Sequence, residues 1–497
     1  METKERDSMT SQDAVLAHIK QYLISNKDKH IDRIRCLISQ PSISESKQGV
    51  HDCAKLLVES FRQLGCQEAE LLENRNGLPG VWAYYNANAK KTIASYSNFD
   101  TRPIVQPEKW FSDPYGGTIA QLPRIGKVMI GRGARAYKGP FAAWLNALEA
   151  VIAVRGTLPV NVLFLAEGDE LLGSPSYRDM FDRYRERLIS VDANLSPGIC
   201  PMMGDAFALA MGYKTFISLR LRVCASHWGR GPKSGPAHAM ARAVIDSPAW
   251  RLVHALASLT DEYGQFERGK GFLDQSRPAD EVEREQILDT RRKAGGRPFG
   301  DRTWQELLPG CMAADVSMPG YTDDEIFTNY YYGSSINISS LKSGFLGPGT
   351  RADTIPNTAT CRLDIRLPRG SKADPAVAAL KRHLDRHGFD EVELEVLGAH
   401  DSYINRPDSH LAQAIRRSFH ESGFKLIETP CSAGGGPWAL FANELGVPSF
   451  RDVGVGSGGN VGLPNEYLVI ESAEGHPGLV ECELMHARVL LTYGESE

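Results

Sequence analysis

The sequence predicts an α/β fold: a mixed sheet flanked by helices, with a smaller α+β domain inserted. Three observations predict it. Short apolar runs alternate with helical spacings up to about residue 200, the texture changes near Ala206 to alternating apolar and polar positions, and the first texture returns near residue 402. At 497 residues the chain is long for one core, so two or more domains are expected. The reading is a disordered segment 1–12, a discontinuous α/β domain over 13–206 and 402–497, and an inserted α+β domain over 207–401.

Each element has a local reason. Val15, Leu16, Ile19, Leu23, Ile31, Ile34, Leu37 and Ile38 recur at helical spacing over 13–40, and Pro41 to Ser44 stops that helix. Residues 51–65 repeat the pattern. Thr92 to Tyr96 and Val160 to Leu165 read as strands, the second fully buried. Pro140–Ile152 and Tyr177–Leu188 read as helices. Phe216 to Val223 alternates, as does Ala359 to Leu367, which fits a sheet with one solvated face. Helices are expected over 237–259, 374–387, 409–423 and 471–493, and a polar, loop-rich excursion over 260–330.

Composition excludes several function classes. A net charge of −5 gives no electrostatic case for nucleic acid or an anionic membrane. The first 22 residues carry charges throughout with no apolar core, and no run of 18 apolar residues occurs, so neither an export signal nor a membrane span is expected. Nine scattered cysteines, with no C-x-x-C pair, fit free thiols in a reducing cytoplasm.

Four segments carry the chemistry. They are Ser97 to Pro103 followed by Trp110 and Asp113-Pro114-Tyr115; Gly131 to Pro140 (GRGARAYKGP); Glu167 to Ser174 (EGDELLGS); and Leu463 to Tyr467 (LPNEY). In order and separation they resemble the H-x-D-x-x-P…W…DPF, GRG-x-x-D-x-KG, EG-x-EE-x-GS and HSPNE segments of M20 metallopeptidases, particularly the carnosinase-like dipeptidases. The resemblance runs over roughly residues 15–490. It implies a zinc-peptidase-like α/β domain with an inserted lid and dimerisation domain.

That family holds two zinc-like ions with five side chains, one of them a bridging carboxylate. At the matching positions this chain has Asn98, Ala136, Leu171 and Gly462, with Asp192 as the one plausible remaining ligand. The expectation is therefore a degenerate metal site and no metal or other cofactor. The triplets His30-Ile31-Asp32 and His383-Leu384-Asp385 lie in helical stretches, His400 near the second domain crossing and His476 in the expected last helix; none is expected to rebuild a site.

Other matches imply roles. Glu170 falls on the family's general base, and Asp100 on the aspartate that orients the first histidine. His227 falls on the histidine that reaches across a dimer interface, and Asn337 and Arg366 on lid residues that bind substrate. Ser432 replaces an arginine of the carboxylate clamp. Arg135 is a newcomer, expected to replace the lost positive charge beside Asp100, Glu170 and Asp192. Asn98 and Asp192 join Arg135, Asn337 and Arg366 as expected substrate contacts. Structural readings stay open: Glu170 as a cap, His227 as an ordinary strand-end residue, Asp100 and Asp192 as hydrogen-bonding groups, Arg366 and Arg135 as solvated cations. The glycine runs 434–436 and 454–462 read as tight turns, since neither has a G-x-x-x-x-G-K pattern.

The function expected on this basis is a metal-independent, biosynthetic enzyme. It would perform acid–base or acyl-transfer chemistry on an amino-acid or dipeptide-like substrate, with Glu170, His227 and Asp100 as catalytic residues. A non-catalytic binding protein and an unusual M20 hydrolase or dipeptidase are the alternatives. The partners expected are a small amino-acid-derived substrate and a second copy of the chain.

Overall fold

The structure is a computed structural model describing residues 11–203, 205–261, 264–266, 280–293, 322–345, 353–472 and 475–495. The segment expected to be disordered, 1–12, lies outside these apart from its last two residues. Among the described residues no helix is long and apolar enough to cross a membrane. The eight described cysteines are free thiols.

Six strands form the central mixed sheet, in the order Glu68–Leu72, Gly80–Tyr85, Asn161–Glu167, Thr92–Asn98, Ala193–Pro197 and Ser449–Val453. The last four run parallel and the first two are antiparallel to their neighbours. The run Val162-Leu163-Phe164-Leu165 is buried on both faces because helices cover both. Val162 and Phe164 pack with helices Val50–Leu64, Lys138–Arg155 and Leu479–Glu495. Leu163 and Leu165 point the other way, toward Tyr177, Phe181, Trp438 and Phe441.

A second, four-stranded antiparallel sheet has the order Ser335–Ser343, Thr358–Leu367, Thr215–Cys224 and Glu393–His400. Strict alternation of buried and half-buried positions along Thr358–Leu367 follows from its one covered face. Helices Pro248–Ala257 and Ala373–Arg386 supply that cover through Leu252, Leu256, Leu380 and Leu384.

Several elements differ from the sequence expectation, each for a local reason. The helix expected over 13–40 is two, Ser11–Ser25 and Lys27–Ser39. Asn26 between them leaves helical geometry and donates its side-chain amide to the Tyr22 carbonyl at 2.9 Å, competing with the backbone. The helix expected over 177–188 breaks similarly at Tyr184. The helix expected over 237–259 begins only at Pro248, whose ring fits the first turn and not the interior. The stretch 260–330 holds helices Glu281–Lys293 and Asp323–Tyr332. The last helix starts at Leu479, after strand Tyr467–Ser472 and the Pro477-Gly478 break. His476 therefore precedes that helix instead of lying in it.

The two sheets meet at glycines. A Cβ on Gly398 would lie 1.9 Å from the Gly173 carbonyl oxygen, so the second sheet presses its backbone onto the turn that follows Glu170. His400 extends this contact, with its Nε2 3.3 Å from the same oxygen, and burial holds its imidazole neutral, its pKa pushed down to about 4. Gly398→Ala is expected to part the two backbones and cut turnover at least about tenfold, because a small displacement near reacting groups is costly. Turnover of Gly398→Ala within about twofold of the parent would show that this contact does not position the turn.

Candidate active site

The parallel strands end at one edge of the central sheet, where open α/β sheets form their ligand crevice. Asn98 closes strand Thr92–Asn98 and lies beside Glu167 in register. Glu167 leads through Gly168 and Asp169 into the short turn Glu170–Leu172. Gly168 must be glycine: a Cβ there would meet Val50, Phe99 and the Pro79 carbonyl at 2.7–2.9 Å. The outermost parallel strand contributes Arg451 and Asp452. A cavity of about 730 Å³ opens over this edge, large enough for a small ligand.

Glu170 is mostly buried, with 17% of its side chain exposed, and its Oε2 has no hydrogen-bond partner. Burial raises its pKa, while Arg451, Arg366 and Arg102 pull the other way. Arg451 is the nearest cation, its Nη1 3.9 Å from Glu170 Oε1. That is too long for a hydrogen bond, and this Nη1 is itself unpartnered. The guanidinium stacks over Trp438 at 4.1 Å and reaches Asn98 Oδ1 at 3.4 Å. Burial lowers its pKa, but Asp452, Tyr96 and Glu170 outweigh that and raise it above the ordinary arginine value.

Asp100 is fully buried beneath this pair. It accepts hydrogen bonds from Ser44 Oγ at 2.8 Å, the Leu171 backbone N–H at 3.0 Å and Asn98 Nδ2 at 3.2 Å. Burial first, and the Glu170 charge second, raise its pKa to about 7. Glu167, also fully buried, accepts from Tyr96 Oη at 2.6 Å and Ser174 Oγ at 2.9 Å; burial pushes its pKa well up. Asp100 and Glu167 thus fix the strand ends and the turn that carries Glu170.

The turn carrying Ala136 is fixed by Glu466. Its Oε1 accepts the backbone N–H groups of Ala136 at 2.9 Å and Arg135 at 3.2 Å, and Oε2 pairs with buried Arg132 at 3.1 Å. Tyr137 follows at φ +70°, ψ −80°, a conformation that non-glycine residues avoid and that a surrounding framework must impose.

Other expected residues lie elsewhere. Asp192 is exposed at the opposite, amino end of its strand, accepting from the Thr92 N–H at 2.8 Å; the correction follows from strand direction. Ser196 stands at the cavity end of that strand. Arg135 does line the cavity, but its guanidinium reaches the Ile199 carbonyl at 3.3 Å, and Arg451 is the cation facing Glu170. Arg366 is clamped by Asp364 at 2.7 and 2.9 Å and stacks on Phe216, yet contributes to the field at Glu170. Asn337 is exposed, with its amide 3.4 Å from Ser339 Oγ.

His227 is exposed beyond the other end of strand Thr215–Cys224, paired with Glu393, so it does not meet Glu170 within one chain. His30 is buried against Glu483 and His383 against the Ser258 carbonyl. His476 lines the cavity. Arg451 was missed in the sequence because no motif marks an isolated arginine, and Arg102 because it occupies an unassigned position inside the Ser97 to Pro103 segment; their placement beside the cavity gives them a role.

Among the described residues no group of three or more His, Cys, Asp or Glu side chains could hold a metal ion. A neutral amide, a methyl, an isobutyl group and a glycine do not supply the donors of a two-cation site. The described donor set does not fit such a centre.

Fold and edge site together define a peptidase-type α/β scaffold. The chain belongs to peptidase family M20/M25/M40, whose profile matches residues 94–477. It is 23% identical to the Cys-Gly metallodipeptidase dug1 of Schizosaccharomyces pombe, over 75% of this chain and 76% of that one. It is 24% identical to the beta-Ala-His dipeptidase of Rattus norvegicus, over 63% of this chain and 60% of that one, so it spans less than two thirds of that relative. Its fold superposes on the di-peptidase Dug1p of Saccharomyces cerevisiae with a TM-score of 0.77 and 20% identity, covering 97% and 99% of the two chains.

These relatives are enzymes that cleave peptides. They overturn the expectation of a metal-independent biosynthetic enzyme with isomerising or acyl-transfer chemistry. The expectation of a degenerate metal site is not borne out by the comparisons either: the relatives named as metallodipeptidases point to metal-dependent hydrolysis, whereas the described side chains bring no ligand group together.

Asp100 generates a pH prediction. Its folded pKa of about 7 lies above the unfolded value of about 3.9, so the folded chain binds the extra proton between those limits and loses stability as pH rises through them. Asp100→Asn, which stays neutral, is expected to flatten the fall of chemical-denaturation midpoints from pH 4 to 7. An unchanged slope would show that Asp100 ionises freely.

Proposed function

We propose that the cavity hydrolyses the amide bond of dipeptide-like substrates. The observation that carries this is the buried carboxylate of Glu170 facing the Arg451 guanidinium across 3.9 Å at the edge of a peptidase-family sheet. The dipeptidase names of the relatives support the substrate class.

Glu170 acts as the general base. Raising its pKa by burial makes it a better proton acceptor, and Arg451 keeps it ionised enough to act. A water between Glu170 and the scissile carbonyl gives Glu170 its proton and attacks the carbonyl carbon. Arg451, with a free N–H aimed at the same gap, stabilises the negative charge that develops on the carbonyl oxygen. Glu170 then returns the proton to the departing amine. Asp100 positions the base through the Leu171 N–H.

Release of free amino acids from a dipeptide panel including Cys-Gly and beta-Ala-His, with and without added divalent cations, tests the reading. Glu170→Gln is expected to lower turnover about 10²–10⁴-fold with an unchanged melting temperature. An absence of hydrolysis across the panel under every condition rules the proposal out.

The proposal includes a homodimer in a cytoplasmic setting, with residues 207–401 as the lid and dimerisation domain. Its support is the exposed position of His227, which a single chain leaves away from Glu170. In this reading His227 serves the partner's site. Mixing the inactive variants His227→Ala and Glu170→Gln is expected to recover activity, because each hybrid dimer assembles one complete site. No recovery, in mixtures shown to exchange subunits, excludes action in trans.

A further inference from the structure

The cavity carries more positive charge than a simple dipeptide calls for. Three guanidinium groups line it from three separate segments, Arg102, Arg135 and Arg451, against one lining carboxylate, Asp452. Arg451 is engaged with Trp438, Asn98 and Glu170. Arg102 and Arg135 are the other two, and the glycine-rich loop over 454–462 makes room for both. A Cβ on Gly458 would lie 2.6 Å from Cδ of Arg135, and one on Gly462 would lie 2.7 Å from Nη1 of Arg102. Gly462 also sits at φ +73°, where a side chain is strained. At 458 the Tyr467 carbonyl, 2.4 Å from an added Cβ, already requires glycine and Arg135 packs beside it, while at 462 the space an added Cβ would take is held by Arg102.

Two further groups in the cavity wait for a partner. The hydroxyls of Ser97 and Ser457 belong to buried residues that line it, and neither has a hydrogen-bond partner in the protein. Buried polar atoms left unmatched are costly, so a polar ligand or water completes them. Guanidinium forks match carboxylates in geometry as well as charge. An unsubstituted dipeptide brings one carboxylate; a dipeptide with an acidic side chain brings two.

We propose that the cavity selects dipeptide-like substrates bearing a second carboxylate, with Arg102 and Arg135 as the specificity-determining pair. The proposal rests on the hydrolase reading of the same site. Its test compares Asp-Ala with Ala-Ala in turnover, and measures succinate binding by calorimetry as a probe that needs no turnover. The expected result is a preference for Asp-Ala of at least about tenfold, carried by KM, since one charge-assisted contact is worth roughly that factor. Arg102→Gln and Arg135→Gln are each expected to remove most of the preference and to weaken succinate about tenfold. The ratio of kcat/KM for the two dipeptides is the readout, so a general loss of activity in either variant does not count as loss of the preference. Equal use of the two dipeptides, or a preference that survives both substitutions, overturns the proposal. If neither dipeptide is cleaved but succinate binds and both substitutions weaken it, the hydrolase reading fails while the anion site stands.

Discussion

The structure depends on keeping several carboxyl groups together under one cavity. Asp100, Glu167 and Glu170 all sit where parallel strands end, and all three have raised pKa values with burial as the leading cause. Three ionised carboxylates in so small a volume would repel and be poorly solvated. The chain resolves this by dividing the roles. Glu167 is held by two hydroxyl donors deep beneath the edge, Asp100 by three donors, and Glu170 alone faces a cation. The neighbouring architecture serves that division: Gly168 lets the strand pass tightly, and the Gly173–Gly398 contact holds the far side of the turn.

Arg451 makes Glu170 tolerable in this setting. It sits on the edge strand of the sheet, paired in parallel with Ala193–Pro197, and its guanidinium stacks on Trp438. A flexible lysine could not stack in this way, and its compact charge is more strongly hydrated and harder to bury. The pair is incomplete by hydrogen-bond criteria, with one N–H and one carboxylate oxygen unmatched. Arg451 is the member of the pair that lines the cavity, so a bound molecule would meet its unmatched Nη1 there.

Much of the fold was legible in the sequence, because burial imposes period. The run 160–165 and the alternating 359–367 each carried the pattern that their sheets require, and four ordered motifs placed the central edge. What was not legible depended on atoms far apart in the chain. Asp192 looked like a cavity residue from its neighbours, yet strand direction puts it at the other end of the sheet. Arg451 had no motif to announce it. Some misses did have a signal: Thr322 and Glu325 form a capping box that marked the start of a helix within a stretch read as loop. Pro248 likewise marked a helix start, not a helix interior.

Position 462 ties these strands of argument together. The motif comparison places a histidine there, and the chain has glycine with positive φ, its missing side-chain space taken by Arg102. Restoring a histidine would therefore demand both a strained backbone and the displacement of a guanidinium. At 458 the nearest obstacle to a side chain is the Tyr467 carbonyl, with Arg135 beside it. At 462, then, the space for the missing side chain and the space that Arg102 fills at the cavity rim are the same.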